Sequence, residues 1–220
     1  MPSSTWSLAD RSRARYSHHS RYELVAELLR GTEGELLDVG ARDRVLESHI
    51  DTGSLRYHSA DMSEGHDYFV DLEKPLPIPD KSFDTVVCLD VLEHVEHIHD
   101  AFAELARISR DRIVISLPNI AVLRTRFRFL FKGVLGGKYS FAPEHQGDRH
   151  RWITTHRSIG EFVVGMSERC GVRAEQEVNE LMHAHRYLRG LSLVAVRAGV
   201  GRRSGILSER SIVVFRHAAG

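Results

Sequence analysis

Apolar positions Leu24, Val25, Leu28 and Leu29 recur at helical spacing after Tyr22, and Gly31 and Gly34 break the pattern, so a helix and then a turn are expected. The next run, Glu35-Leu36-Leu37-Asp38-Val39-Gly40, is short, apolar and closed by Asp and Gly, the pattern of a buried parallel strand with polar groups at its end. A second strand, Leu55 to Ala60, also ends on an acid, Asp61. Pro75, Pro77 and Pro79 predict an extended loop after Val70-Asp71-Leu72-Glu73. Phe83 to Leu89 is a continuous apolar strand, followed by Asp90 and a helix-like stretch through Arg107, and Arg112 to Leu117 is a further strand stopped by Pro118. Thr155 to Cys170 places Ile159, Phe162, Val163 and Met166 on one helix face, with Thr155 or Ser158 as cap and Gly171 as stop. Leu191 to Ala198 fits either a helix or a strand, and Ser211 to Arg216 reads as the final strand. Strands alternating with helices predict an α/β fold, a mostly parallel sheet with helices on both faces.

The length, 220 residues, supports one domain over residues 18–220, preceded by a polar, Ser- and Arg-rich stretch at 1–17 expected to be a flexible or loosely docked arm. Hydrophobic residues at 42% and charged residues at 27% match ordinary globular chains, which excludes a disordered acidic protein. Thirty Lys and Arg balance thirty Asp and Glu, so no net field exists to coat a polyanion and nucleic acid is disfavoured as a partner. Two cysteines, Cys88 and Cys170, build no disulfide framework. The first twenty residues lack a signal peptide's apolar centre, and no uninterrupted apolar run is long enough to span a bilayer, so a cytoplasmic location is expected.

In such sheets ligands bind beyond the carboxyl ends of the strands, where the strand order reverses. Asp38 and Gly40 close the first strand and Asp61 the second, about twenty residues on, the separation of a glycine turn from a ribose-binding acid. Glycine at 40 permits close backbone approach, and a carboxylate at 61 can accept from both ribose hydroxyls. After Gly40, however, come Ala41-Arg42-Asp43-Arg44, without the further glycines that cradle a pyrophosphate, so NAD and FAD are disfavoured.

The run Phe83-Asp84-Thr85-Val86-Val87-Cys88-Leu89-Asp90-Val91-Leu92-Glu93-His94-Val95 resembles the strand-four pattern FDxVxxxxVLEHV of class I S-adenosylmethionine-dependent methyltransferases, in particular their bacterial small-molecule, type 11-like branch. The resemblance runs in order through Leu36 to Gly40, Asp61, Asp71-Leu72, Lys74 to Asp84 and Ile115 to Asn119. It implies a Rossmann-like, doubly wound sheet of seven strands, mostly parallel with an antiparallel last strand. It also implies S-adenosylmethionine as cofactor and S-adenosylhomocysteine as product, with no metal. Asp38 and Gly40 would approach the methionine moiety, Asp61 would hold the ribose, and Asp71 and Leu72 the adenine. Leu89 and Asp90 would line the methionyl end. A sulfonium beside carboxylates is electrostatically consistent. The departure is Ala41-Arg42-Asp43-Arg44, where the family usually has a small residue and then glycine, any residue, glycine.

The acceptor determines the rest of the chemistry. No Asn/Asp-Pro-Pro-aromatic sequence and no Pro-Cys dipeptide occurs after the fourth strand, which disfavours amino methylation of adenine in nucleic acid and attack by a cysteine on a pyrimidine. Residues 120–152 read as an insert forming a cap or acceptor region. Within it, 121–132 alternates arginines with apolar residues and could cap the pocket, lie on a membrane surface or meet a phosphate-bearing acceptor; the plain alternative is a helix packing its Phe and Leu residues into the core. His145, and after it His150, are the candidate general bases, since an unperturbed imidazole titrates near neutrality. Glu93 and His94 are expected to cap and pack the helix start. His94, His97 and His99 are dense enough to raise a metal, but only His94 and His97 have a converging spacing, and no metal is expected. The expected activity is methyl transfer to the hydroxyl oxygen of a small bacterial metabolite such as a sugar, polyketide, quinone or lipid-linked acceptor. The alternatives are a degenerate binding or scaffold module and an RNA methyltransferase.

Overall fold

A computed structural model describes residues 14–139, 148–181, 186–199 and 205–218, with backbone alone for 186–191. Eight strands form one sheet: β1 (Arg15–Ser17), β2 (Gly34–Val39), β3 (Leu55–Asp61), β4 (Tyr68–Phe69), β5 (Phe83–Leu89), β6 (Ser109–Pro118), β7 (Val172–Leu181) and β8 (Ser208–His217). Their spatial order is β1-β7-β8-β6-β5-β2-β3-β4. Only β8 runs against its neighbours, β6 and β7, so the mostly parallel sheet with an antiparallel last strand is present. Among the described residues there are eight strands, where seven were expected. Two of the eight are very short edge strands: β4 pairs two residues of β3, and β1, inside the stretch read as an arm, pairs Arg15 to Ser17 with Val178 to Glu180.

Period-2 alternation in the central strands explains the two-sided core. Leu37, Val39, Val86, Cys88, Ile113, Ile115, Val213 and Phe215 face one way, toward α2 (Ile98–Ile108) and α4 (His156–Cys170). Leu36, Val87, Val114, Ile212 and Val214 face the other way, toward Leu24 and Val25 of α1 (Arg21–Leu28). Ser20 caps α1 in a reciprocal box with Glu23. Thr155 and Ser158 form the same box on α4, and Gly171 ends that helix in the left-handed conformation, as its sequence predicts. Leu191 to Ala198 resolves as helical, within α5 (Arg186–Arg197) and the turn after it.

Two expectations change. The helix-like stretch after Asp90 is interrupted: a short 3-10 turn, Leu92–His94, precedes α2, and neither Glu93 nor His94 caps a helix. Residues 121–132 contain α3 (Leu123–Lys132), but no residue of α3 is buried, so its Phe and Leu side chains do not enter the core. Phe131 is 77% and Leu130 73% exposed, and the rings of Phe127 and Phe131 stack in the open.

The chain passes from β2 outward to β3 and β4, then returns to the other side of β2 through β5 and β6, so the order reverses between β2 and β5. Val39 is level with Ala60 on one side and Cys88 on the other, which brings the ends of these three strands into one row.

Candidate active site

A cavity of about 1010 Å³ opens at this reversal. Six of the seven residues expected to hold a cofactor line it: Gly40, Asp61, Asp71, Leu72, Leu89 and Asp90. Asp38 does not. It points to the α1 side of the sheet, buried, where its Oδ2 accepts from the Tyr57 hydroxyl at 2.8 Å. Burial pushes the Asp38 carboxyl up to about 6. Strand alternation explains the miss, since Asp38 shares a face with Leu36 and it is Val39 that borders the cavity.

Gly40 has φ +77°, and a Cβ there would lie 2.3 Å from Cγ2 of Val91, so both backbone and space require glycine. Arg42 and Arg44, at the two positions where glycines usually stand in the resembling family, take φ of 46° and 53°. The loop therefore keeps a glycine-like backbone at a cost of roughly 1–2 kcal/mol per residue. The Arg42 side chain is 80% exposed, while its backbone N–H donates to Asp61 Oδ2 at 3.1 Å. Ser63 donates twice to Oδ1, from its backbone and its hydroxyl. Burial pushes the Asp61 carboxyl up, but these bonds outweigh it and hold it below its usual range. Asp71 is kept low by Lys74, whose Nζ lies 2.8 Å from its Oδ2.

Asp90, also left-handed at φ 56°, sits in a network no local pattern reveals. Arg210 of β8 donates to both its oxygens, Arg21 of α1 lies 3.5 Å away, and Ser116 Oγ donates at 2.6 Å. Arg210 also pairs with buried Glu180 of β7. Burial opposes ionisation of Asp90, but Arg210, Arg21 and Ser116 prevail and its carboxyl stays below its usual value.

The same cavity is lined by Glu93, His94, Lys138, Asp148 and His150. His150 comes to the 3-10 turn because the segments are tied by backbone bonds: the N–H groups of Arg151 and Trp152 donate to Glu93 O at 2.9 and 3.3 Å. Trp152 Nε1 donates to Val95 O at 2.8 Å. The His94 and His150 rings meet edge to face at 4.6 Å. Burial, then the charges of His94 and Lys138, lower His150 to about 4, so it is neutral at pH 7. Burial, then the charge of Asp90, raises Glu93 to about 8. His145 lies outside the described residues. Arg21, Arg210, Lys138 and the pairing of Glu93 with His150 were missed, because each depends on segments distant in the chain.

Residues 37–114, the stretch from β2 into β6, match the family described as a methyltransferase domain. Among solved structures, the magnesium protoporphyrin IX methyltransferase of Synechocystis, with bound S-adenosylhomocysteine, aligns at TM-score 0.54 and 14% identity over 90% of this chain and 82% of that one. The 1,6-didemethyltoxoflavin-N1-methyltransferase of Burkholderia thailandensis aligns at 0.53 and 13%, over 90% and 77%. The cyclase SpnF aligns at 0.57 and 14%, over 97% and 92%. At such identities the likeness is one of fold. No curated protein matches the chain.

Proposed function

We propose that this chain, a class I methyltransferase by its domain match and its fold, moves the methyl group of S-adenosylmethionine to a hydroxyl oxygen of a small acceptor. The observation that carries this reading is the convergence of Gly40, Asp61, Asp71, Leu72 and Leu89 on one cavity that His94 and His150 also line. Asp61 suits the ribose hydroxyls, and Asp71 with Leu72 suits the adenine. The acceptor oxygen would attack the methyl carbon in line as the C–S bond breaks, the electron pair remaining on sulfur. The neutral imidazole of His150 offers a ring nitrogen to the departing hydroxyl proton. The exposed Phe127, Leu130 and Phe131 of α3, beside its arginines, favour a lipid-linked acceptor met at a membrane surface. No helix among the described residues is long and apolar enough to cross a membrane. The cyclase neighbour favours keeping one second reading, a cofactor-binding protein with other chemistry.

The test is the thermal midpoint with and without S-adenosylhomocysteine. Ligand at one hundred times its Kd adds about 2.7 kcal/mol, a rise of roughly 5–10 °C for a chain of this size. Asp61→Ala should weaken binding by about tenfold or more, as loss of charge-assisted hydrogen bonds does, while the protein stays folded. No rise with millimolar ligand rules the reading out.

A further inference from the structure

The cavity holds a cluster, Glu93, His94 and His150, in which the proposed methyl transfer employs only His150 and leaves Glu93 and His94 without a task. Glu93, His94 and His150 each place one ligand atom within 4.8 Å of the others. Glu93 is fully buried, and neither of its carboxylate oxygens has a hydrogen-bond partner among the described residues. His150 Nε2 lies 3.7 Å from its Oε1. A buried carboxylate is normally hydrogen-bonded or paired, and one left bare inside a polar cluster calls for an explanation.

The imidazoles are set up as ligands as well. His94 Nδ1 lies 2.8 Å from the carbonyl oxygen of Arg149, which can only accept, so Nδ1 carries the proton and Nε2 keeps its lone pair. A backbone carbonyl fixing the tautomer in this way is the usual support of a metal-binding histidine. The bonds of Arg151 and Trp152 to Glu93 O bring His150 beside the carboxylate. We infer that Glu93, His94 and His150 form a binding site for one divalent first-row transition ion at the acceptor end of the cavity.

Two nitrogens and one carboxylate oxygen select Zn²⁺, Mn²⁺, Fe²⁺ or Co²⁺ over Mg²⁺ and Ca²⁺, which prefer oxygen. Bonds of about 2.1 Å at tetrahedral angles put ligand atoms about 3.4 Å apart, so the cluster closes by up to roughly 1.4 Å as the ion enters. Charges facing the cluster are of both signs. Lys138 Nζ lies 3.4 Å from His94 Nε2 and 2.8 Å from Asp148 Oδ2, and Asp90 with Arg210 stands behind Glu93. Lys138, 41% exposed, holds the positive charge at this place in the ion-free protein and must swing out as the ion enters. Spacing along the chain pointed to His97 as the partner of His94; the fold supplies His150 instead. The ion's role rests on the proposed methyl transfer: three protein ligands leave positions open to the cavity, where an acceptor hydroxyl can bind and lose its proton more readily. Such an acceptor carries at least one coordinating oxygen beside the methylated one or is itself bound through it.

The test uses the full chain stripped by a chelator and titrated with Co²⁺, read by its visible absorption, and with Zn²⁺ by calorimetry. One equivalent is expected to bind. Glu93→Gln, which resembles the protonated carboxyl in shape, and His150→Ala should each weaken binding by roughly tenfold or more. Lys138→Gln, at an exposed side chain, should tighten it. Absence of a saturable equivalent overturns the site, as does affinity indifferent to both ligand substitutions in protein that still melts cooperatively. The midpoint shift with S-adenosylhomocysteine is read separately, so a lost metal site and a lost methyl donor give different results.

Discussion

Arg210 holds Asp90 with a fork: Nε to Oδ1 at 2.7 Å and Nη2 to Oδ2 at 2.7 Å, across residues at the start of the last strand and just beyond the end of β5. The same guanidinium reaches Glu180, so one cation balances two carboxylates that are both largely buried. Arg210→Leu removes the cation that the two acids share and leaves Asp90 to Arg21 and Ser116, at a cost of about 3–5 kcal/mol. The expected fall in thermal midpoint is roughly 10 °C. Arg210→Lys keeps the charge but loses the fork, and should fall between the two. Equal midpoints for all three proteins would show that the network does not hold the strand ends together.

Asp38 gives a pH dependence with a definite sign. Its carboxyl is raised from an ordinary 3.8 to about 6, burial outweighing the Tyr57 hydroxyl. Between these values the folded chain binds a proton that the unfolded chain releases, so this contribution is full below about pH 4 and lost as pH rises through 6. Asp38→Asn removes the titration. The midpoint of the variant minus that of the wild type should therefore climb between pH 4 and 6 and level off above, in thermal melts across that range. A flat difference would contradict the burial of a titrating carboxyl.

The loop after β2 separates two kinds of left-handed residue. Gly40→Ala meets Val91 as well as an unfavourable φ, and should cost about 2–4 kcal/mol and abolish binding of S-adenosylhomocysteine. Arg42→Gly relieves the φ strain but adds freedom to the unfolded chain, and these terms nearly cancel. Its midpoint should stay within about 3 °C of wild type, with ligand binding retained, because only the backbone N–H of Arg42 touches Asp61. Loss of binding in Arg42→Gly would assign the guanidinium a role in holding the cofactor.

What the sequence by itself determined is local. The apolar runs in Leu36 to Val39, Val86 to Leu89 and Ile113 to Leu117 specified strands buried on both faces, and Thr155, Ser158 and Gly171 marked a helix from cap to stop. Gly40, Asp61, Asp71 and Asp90 were legible because strand ends converge wherever strand order reverses, so position along the chain already implies position in the cavity. Strand alternation turns Asp38 toward Tyr57, on the face away from the cavity, and residues 15–17 pair at the sheet edge over too short a run to carry a pattern. Only the tertiary structure decided the polar interior. Arg210 reaches Asp90 because β8 inserts antiparallel beside β6, and His150 reaches Glu93 because the two amides that follow it bind one carbonyl of the 3-10 turn. Such contacts join residues tens of positions apart, and their energy depends on burial and mutual orientation, which composition and spacing do not encode.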